Sequence, residues 1–96
     1  MKKIAIFGST GSIGSTLIDI IKKNKSKFKI ELLTANKDYK KLIKQTEIFN
    51  VKNVIICDKK SYLIVKKLLI NKPINIIRIK QNLVTRGKVP YLVNHS

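Results

Sequence analysis

The sequence predicts an α/β fold: a parallel sheet whose strands alternate with helices. Three observations point there. Short apolar runs without polar interruption occur at residues 4–7 and 54–57, as strands buried on both faces require, and residues 74–79 are a further strand-like stretch. Between these runs, apolar residues return at helical spacing. A glycine-rich stretch, Gly8 to Gly14, joins the first run to the first helical pattern. Strands alternating with helices of this length build right-handed β-α-β crossovers.

The first strand ends at Gly8. A helix is expected from Ser12 to Lys23, with Ile13, Leu17, Ile20 and Ile21 inward and Asn24 as the stop. Lys22 and Lys23 suit the negative end of its dipole. Residues 28–34 read as the second strand, and Ala35-Asn36-Lys37 as a loop. Asp38 is a good N-cap for a second helix carrying Leu42, Ile43, Thr46 and Phe49 on one face. After the third strand, Asp58 caps a third helix with Tyr62, Val65, Leu68 and Leu69 inward. Pro73 ends it, because proline cannot continue a helix. Residues 74–79 make a fourth strand. Residues 80–96 show no helical face: 85–90 are turn-like, and 91–93 could form a short strand. The expected division is residues 1–79 as one α/β unit and 80–96 as a poorly defined tail.

The chain has 96 residues, 44% of them apolar, which favours a folded domain over disorder. A single cysteine excludes an intrachain disulfide. No apolar run is long enough to span a bilayer, so no membrane partner is expected and the cytoplasm is the expected location. The net charge of +16 invites a nucleic-acid reading. All but two of the 21 basic residues are lysine, however, and the exceptions, Arg78 and Arg86, form no cluster. No aromatic pair sits in a basic stripe, as base stacking would need. Weak, salt-sensitive attraction to phosphate is expected, and no specific nucleic-acid partner.

The informative segment is Gly8-Ser9-Thr10-Gly11-Ser12-Ile13-Gly14. It follows a strand and opens a helix, the context a dinucleotide-binding turn requires. Gly8 lets the chain turn off the strand, Gly11 lets backbone approach a pyrophosphate, and Gly14 lets the helix pack closely. Amides at the helix start would hold the phosphates, with the hydroxyls of Ser9, Thr10, Ser12 and Ser15 as further donors. No carboxylate precedes Asp19, so nothing there would repel an anion. A P-loop is excluded, since Ser15 and not lysine follows the last glycine. A nucleophile elbow is excluded because Thr10 stands two residues before Ser12. The bland alternative is a tight strand-to-helix turn with no ligand. At the first βα junction of an α/β chain, a Rossmann-like partial dinucleotide-binding domain is the better reading.

An NAD site places Asp or Glu at the end of the second strand. Here Thr34 and Ala35 are neutral and Lys37 follows, which favours the 2′-phosphate of NADP. Asp38 opposes this, but its capping role accounts for it. His95 and Cys57 are the remaining reactive side chains. They are read as exposed and as core respectively, with no catalytic residue and no metal site expected.

The seven-residue turn, then Asp19, Phe28 and Ala35-Asn36-Lys37, closely resembles the amino terminus of the 1-deoxy-D-xylulose 5-phosphate reductoisomerases. The likeness is read from residue 2 to about 70, ceasing from about Arg78. It implies an NADPH-dependent oxidoreductase that rearranges and reduces its sugar-phosphate substrate to 2-C-methyl-D-erythritol 4-phosphate in isoprenoid precursor synthesis. It also implies a divalent metal, magnesium or manganese, and a homodimer for the full-length family. Thr10, Gly11, Ser12 and Ile13 would bind the cofactor, and Asn36 and Lys37 would approach its 2′-phosphate. The family often has asparagine where this chain has Asp38. Full-length members are several times longer, and their metal ligands lie beyond these residues. The resemblance therefore implies the adenosine-side half of an NADPH domain, inactive alone. Other readings are another NADP-linked reductase or epimerase, and a small basic nucleotide- or nucleic-acid-binding module without catalysis.

Overall fold

The structure, a computed structural model, describes residues 1–79 and 92–94. Strand β1 (Lys2–Ile6) leads through the glycine turn into helix α1 (Ser12–Lys22). A short 3-10 turn (Lys25–Lys27) precedes β2 (Phe28–Ala35), followed by α2 (Tyr39–Phe49), β3 (Asn53–Ile56), α3 (Lys59–Leu68) and β4 (Asn75–Arg78). A last short strand, β5 (Leu92–Asn94), completes the described elements. The sheet order is β4-β3-β2-β1-β5; β1 to β4 are parallel, and β5 runs antiparallel to β1. The turn-like reading of residues 85–90 and the placement of His95 lie outside the described residues.

Every crossover from β1 to β4 steps the same way across the sheet. Right-handed connections then put all three helices on one face. The packing agrees: Ile18 and Ile21 of α1, Leu42 of α2 and Val65 of α3 share one cluster with Ile4, Ile6, Leu33, Val54 and Ile56 of the strands. Ile6, Leu33, Val54 and Val65 are fully buried, each contributing about 1.5–3 kcal/mol of transfer free energy. Because successive strand residues point to opposite faces, Phe7, Leu32, Ile55, Cys57 and Ile79 gather in a second cluster. No helix among the described residues is long and apolar enough to cross a membrane.

Two details differ from expectation. The inward row of α1 is Gly14, Ile18 and Ile21, while Ile13 and Ile20 are 56% and 53% exposed. Gly14 sets this phase: it backs onto Gly8, and helix geometry brings residues four and seven further on to the same side. In α3 the packed row runs Ser61, Val65, Leu69, which leaves Leu68 59% exposed one position aside. The ends of α2 and α3 follow from local chemistry. Asp38 and Asp58 each accept a main-chain N–H three residues on, from Lys41 at 3.1 Å and Ser61 at 3.0 Å. Asn50 closes α2 in the left-handed conformation (φ 52°), which asparagine tolerates.

Candidate nucleotide-binding site

The site is built at the carboxyl ends of β1 and β2. Gly8 has φ 71°, the left-handed region that a side chain resists. Its N–H donates to Thr34 Oγ1 at 2.8 Å, and the Ser9 N–H donates to the Thr34 carbonyl at 2.9 Å. Thr34, at the end of β2, thereby fixes where the chain leaves β1. Ser9 is fully buried, as is Gln45 of α2 to within 4%. The two make a reciprocal pair: Ser9 Oγ donates to Gln45 Oε1 at 2.7 Å, and Gln45 Nε2 donates to the Ser9 carbonyl at 2.9 Å. A buried polar group left unpaired is costly, so this pairing locks the turn to α2.

The other two glycines divide their work. A Cβ at Gly14 would lie 2.1 Å from the Gly8 carbonyl oxygen and 2.8 Å from Ser9 Cα, so the fold itself demands glycine there. Gly11 is different. Its φ is −73°, open to any residue, and an added Cβ would meet only the Gly8 oxygen at an ordinary 3.5 Å. Nothing among the described residues requires glycine at 11. It is exposed and forms the N-cap of α1 with no side-chain cap. The first helical bond of α1 runs from the Ser15 N–H to the Gly11 carbonyl, so the amides of Ser12, Ile13 and Gly14 precede it. The first turn carries no acidic residue. These are the properties of an anion seat.

Two hydroxyls expected to face a ligand do not. Ser9 turns inward to Gln45, and Ser15 Oγ donates to the Thr10 carbonyl at 3.4 Å. Sequence alone could not separate them from Thr10, which is half-buried, and Ser12, which is exposed. Lys41, not singled out from the sequence, sends its ammonium to the same Thr10 carbonyl at 3.4 Å.

Ala35, expected in the loop, instead ends β2 opposite Ile56, and it and the loop residues Asn36 and Lys37 are pinned from the β3–α3 junction. The Cys57 N–H donates to the Ala35 carbonyl at 3.0 Å, the Asp58 N–H to the Asn36 carbonyl at 2.9 Å, and Ser61 Oγ to the Lys37 carbonyl at 3.0 Å. Lys37 is exposed and Asn36 half-buried. The Asp38 carboxylate accepts the Lys41 N–H, as its expected capping role requires. The Asp58 carboxyl is held below its ordinary range, first by the Ser61 main-chain N–H, then by the Ser61 hydroxyl, with the charges of Lys37 and Lys60 adding to this. Burial pushes the Cys57 thiol up, partly offset by Arg78, as suits a core residue. Among the described residues, no group of three or more His, Cys, Asp or Glu could hold a metal ion.

Four parallel strands alternating with helices, with a glycine turn at the first βα junction, place the fold in the Rossmann class. The family model described as 1-deoxy-D-xylulose 5-phosphate reductoisomerase matches residues 4–86. A relative of that name from Pelagibacter ubique is 56% identical over 95 residues, covering 95% of this chain and 24% of its own. Among solved structures, the reductoisomerase from Zymomonas mobilis in complex with NADPH is 28% identical with a TM-score of 0.74, over 80% of this chain and 20% of that one. A reductoisomerase structure in complex with magnesium, 22% identical, shares the fold with a TM-score of 0.69 over 83% of this chain and 20% of its own. The chain belongs to the 1-deoxy-D-xylulose 5-phosphate reductoisomerase family. It spans about a quarter of the length of the curated relative from Pelagibacter. The likeness runs past Arg78, where sequence reading had ended it: the family match reaches residue 86.

Proposed function

We propose that residues 1–79 form the adenosine-side half of an NADPH site, as part of an enzyme converting 1-deoxy-D-xylulose 5-phosphate to 2-C-methyl-D-erythritol 4-phosphate. Gly8, Thr10, Gly11, Ser12, Ile13 and Gly14 shape the seat for the pyrophosphate, and Asn36 and Lys37 meet the 2′-phosphate. The observation that carries this is the contrast at the turn. Gly14 is demanded by packing, whereas Gly11 leaves free, on the exposed side, the space a Cβ would occupy. A pyrophosphate lying against that backbone supplies the missing reason for glycine. When bound, NADPH supplies the hydride for reduction. The residues here bind and orient its adenosine end: helix amides hold phosphate oxygens, and the pinned loop presents Lys37.

A divalent metal fits no cluster among the described residues. The 96-residue chain by itself is expected to show no turnover. Its binding is tested by titration at physiological salt with NADPH, NADH and duplex DNA. Selective NADPH binding that varies little with salt supports the reading. Steeply salt-dependent DNA binding without affinity for NADPH would replace it with a basic nucleic-acid-binding module.

A further inference from the structure

We infer that Ser61, together with Asp58, is a positioning residue that sets the preference of this site for a 2′-phosphorylated adenosine; the inference rests on the NADPH reading above. Neither residue belongs to the glycine turn or to the loop that would touch the cofactor. Both sit at the start of α3, beside the carboxyl end of β3. The Ser61 hydroxyl is 3.0 Å from the Lys37 carbonyl and 2.9 Å from Asp58 Oδ2, and Ser61 is buried to within 6%. Its single proton is shared between these two acceptors. The Asp58 carboxylate takes the Ser61 N–H at 3.0 Å, while the Asp58 N–H holds the Asn36 carbonyl at 2.9 Å. Two consecutive carbonyls of the loop, at 36 and 37, are therefore held by this one Asp-x-x-Ser cap.

The consequence is directional. A lysine side chain has several rotatable bonds, so its charge reaches a phosphate productively only if its backbone is fixed. The cap fixes that backbone through Asn36 and Lys37, and the negative charge of Asp58 lies within electrostatic reach of Lys37. The glycine turn is anchored separately, by Thr34 and Gln45. A defect at Ser61 should thus reach the 2′-phosphate contact and leave the rest of the site untouched.

The test compares 2′,5′-ADP with 5′-AMP as probes of the 96-residue chain, by calorimetric titration of wild type, Ser61→Ala and Ser61→Thr. Losing a hydrogen bond of this kind predicts an affinity for 2′,5′-ADP about three- to tenfold lower in Ser61→Ala, with 5′-AMP unchanged. Ser61→Thr, which keeps the hydroxyl, should restore it. A thermal melt of each variant separates unfolding from the binding effect. Equal losses for both probes, or none, in a folded Ser61→Ala variant would overturn the inference and leave the NADPH reading standing. A wild-type chain that does not prefer 2′,5′-ADP to 5′-AMP would overturn both.

Discussion

Replacing Gly11 and Gly14 by alanine, one at a time, separates what the fold needs from what the ligand needs. At Gly14 the new Cβ would stand 2.1 Å from the Gly8 oxygen, where ordinary contact begins at 3.4 Å, so α1 or the turn must retreat by about 1.3 Å. Both neighbours are backbone, and Gly8 is held by Thr34, so little can yield. Overpacking of this kind costs about 1–3 kcal/mol. Alanine in a helix returns about 0.5–1 kcal/mol through lower chain entropy. The net is a loss of roughly 1–2 kcal/mol, together with NADPH binding, because the amides move. At Gly11 the backbone is unstrained and the space open, so stability changes by no more than the few tenths to about 1 kcal/mol typical of an N-cap. Affinity for NADPH should nevertheless fall more than tenfold, about 1.4 kcal/mol or more, as the methyl group meets the pyrophosphate. Urea unfolding and a fluorescence titration with NADPH, run on both variants, read the two quantities. An Gly11→Ala chain that binds NADPH like wild type would refute the argument, and so would a Gly14→Ala chain of undiminished stability.

Three further outcomes are expected. Asp38→Ala removes the cap of α2 and should cost about 1 kcal/mol in urea unfolding, with little change in NADPH affinity; a large gain in affinity would mean that the carboxylate faces the phosphate. Gln45→Leu leaves the Ser9 carbonyl buried without its donor, while the Ser9 hydroxyl keeps the Thr34 carbonyl at 3.4 Å, and should cost about 1–3 kcal/mol, read by the same unfolding curve. Asp58 has its folded-state pKa below the unfolded value, so its stabilising contribution is present above the unfolded pKa and is lost as pH falls through the folded one. Stability followed from pH 7 to 3 should therefore drop less steeply in Asp58→Asn than in wild type.

Most of the architecture was legible because it depends on local patterns. The apolar runs, the glycine turn and the caps at Asp38 and Asp58 each act within a few residues, and the structure places all of them where they were read. The phase of α1 was not legible. Ile13 and Ile20 look as apolar as Ile18, and only the close approach of Gly14 to Gly8 turns the helix so that Ile18 goes inward. The contacts that hold the site together were hidden for a related reason. Gln45 to Ser9 spans 36 positions and Ser61 to Lys37 spans 24. One faint signal existed for the first: a glutamine beside Leu42 and Thr46, on the buried side of an amphipathic helix, needs a polar partner. For the second, Asp-x-x-Ser announces a helix cap but not the loop that its hydroxyl also reaches. The final strand was expected at 91–93 and is found at Leu92–Asn94, a shift of one residue within ordinary boundary variation.

The parallel arrangement of β1, β2 and β3 has an electrostatic consequence. Each is followed by a helix, so the amino ends of α1, α2 and α3 all emerge along the same border of the sheet. Each end carries roughly half a positive charge from its aligned peptide dipoles. Two of the three are already answered by a fixed carboxylate, Asp38 on α2 and Asp58 on α3. Only α1 is left with neither a carboxylate at its cap nor one in its first turn. An arriving polyanion thus meets three similar attractions, two of which have been quenched. Its address is written as much by where the chain puts negative charge as by where it puts glycine.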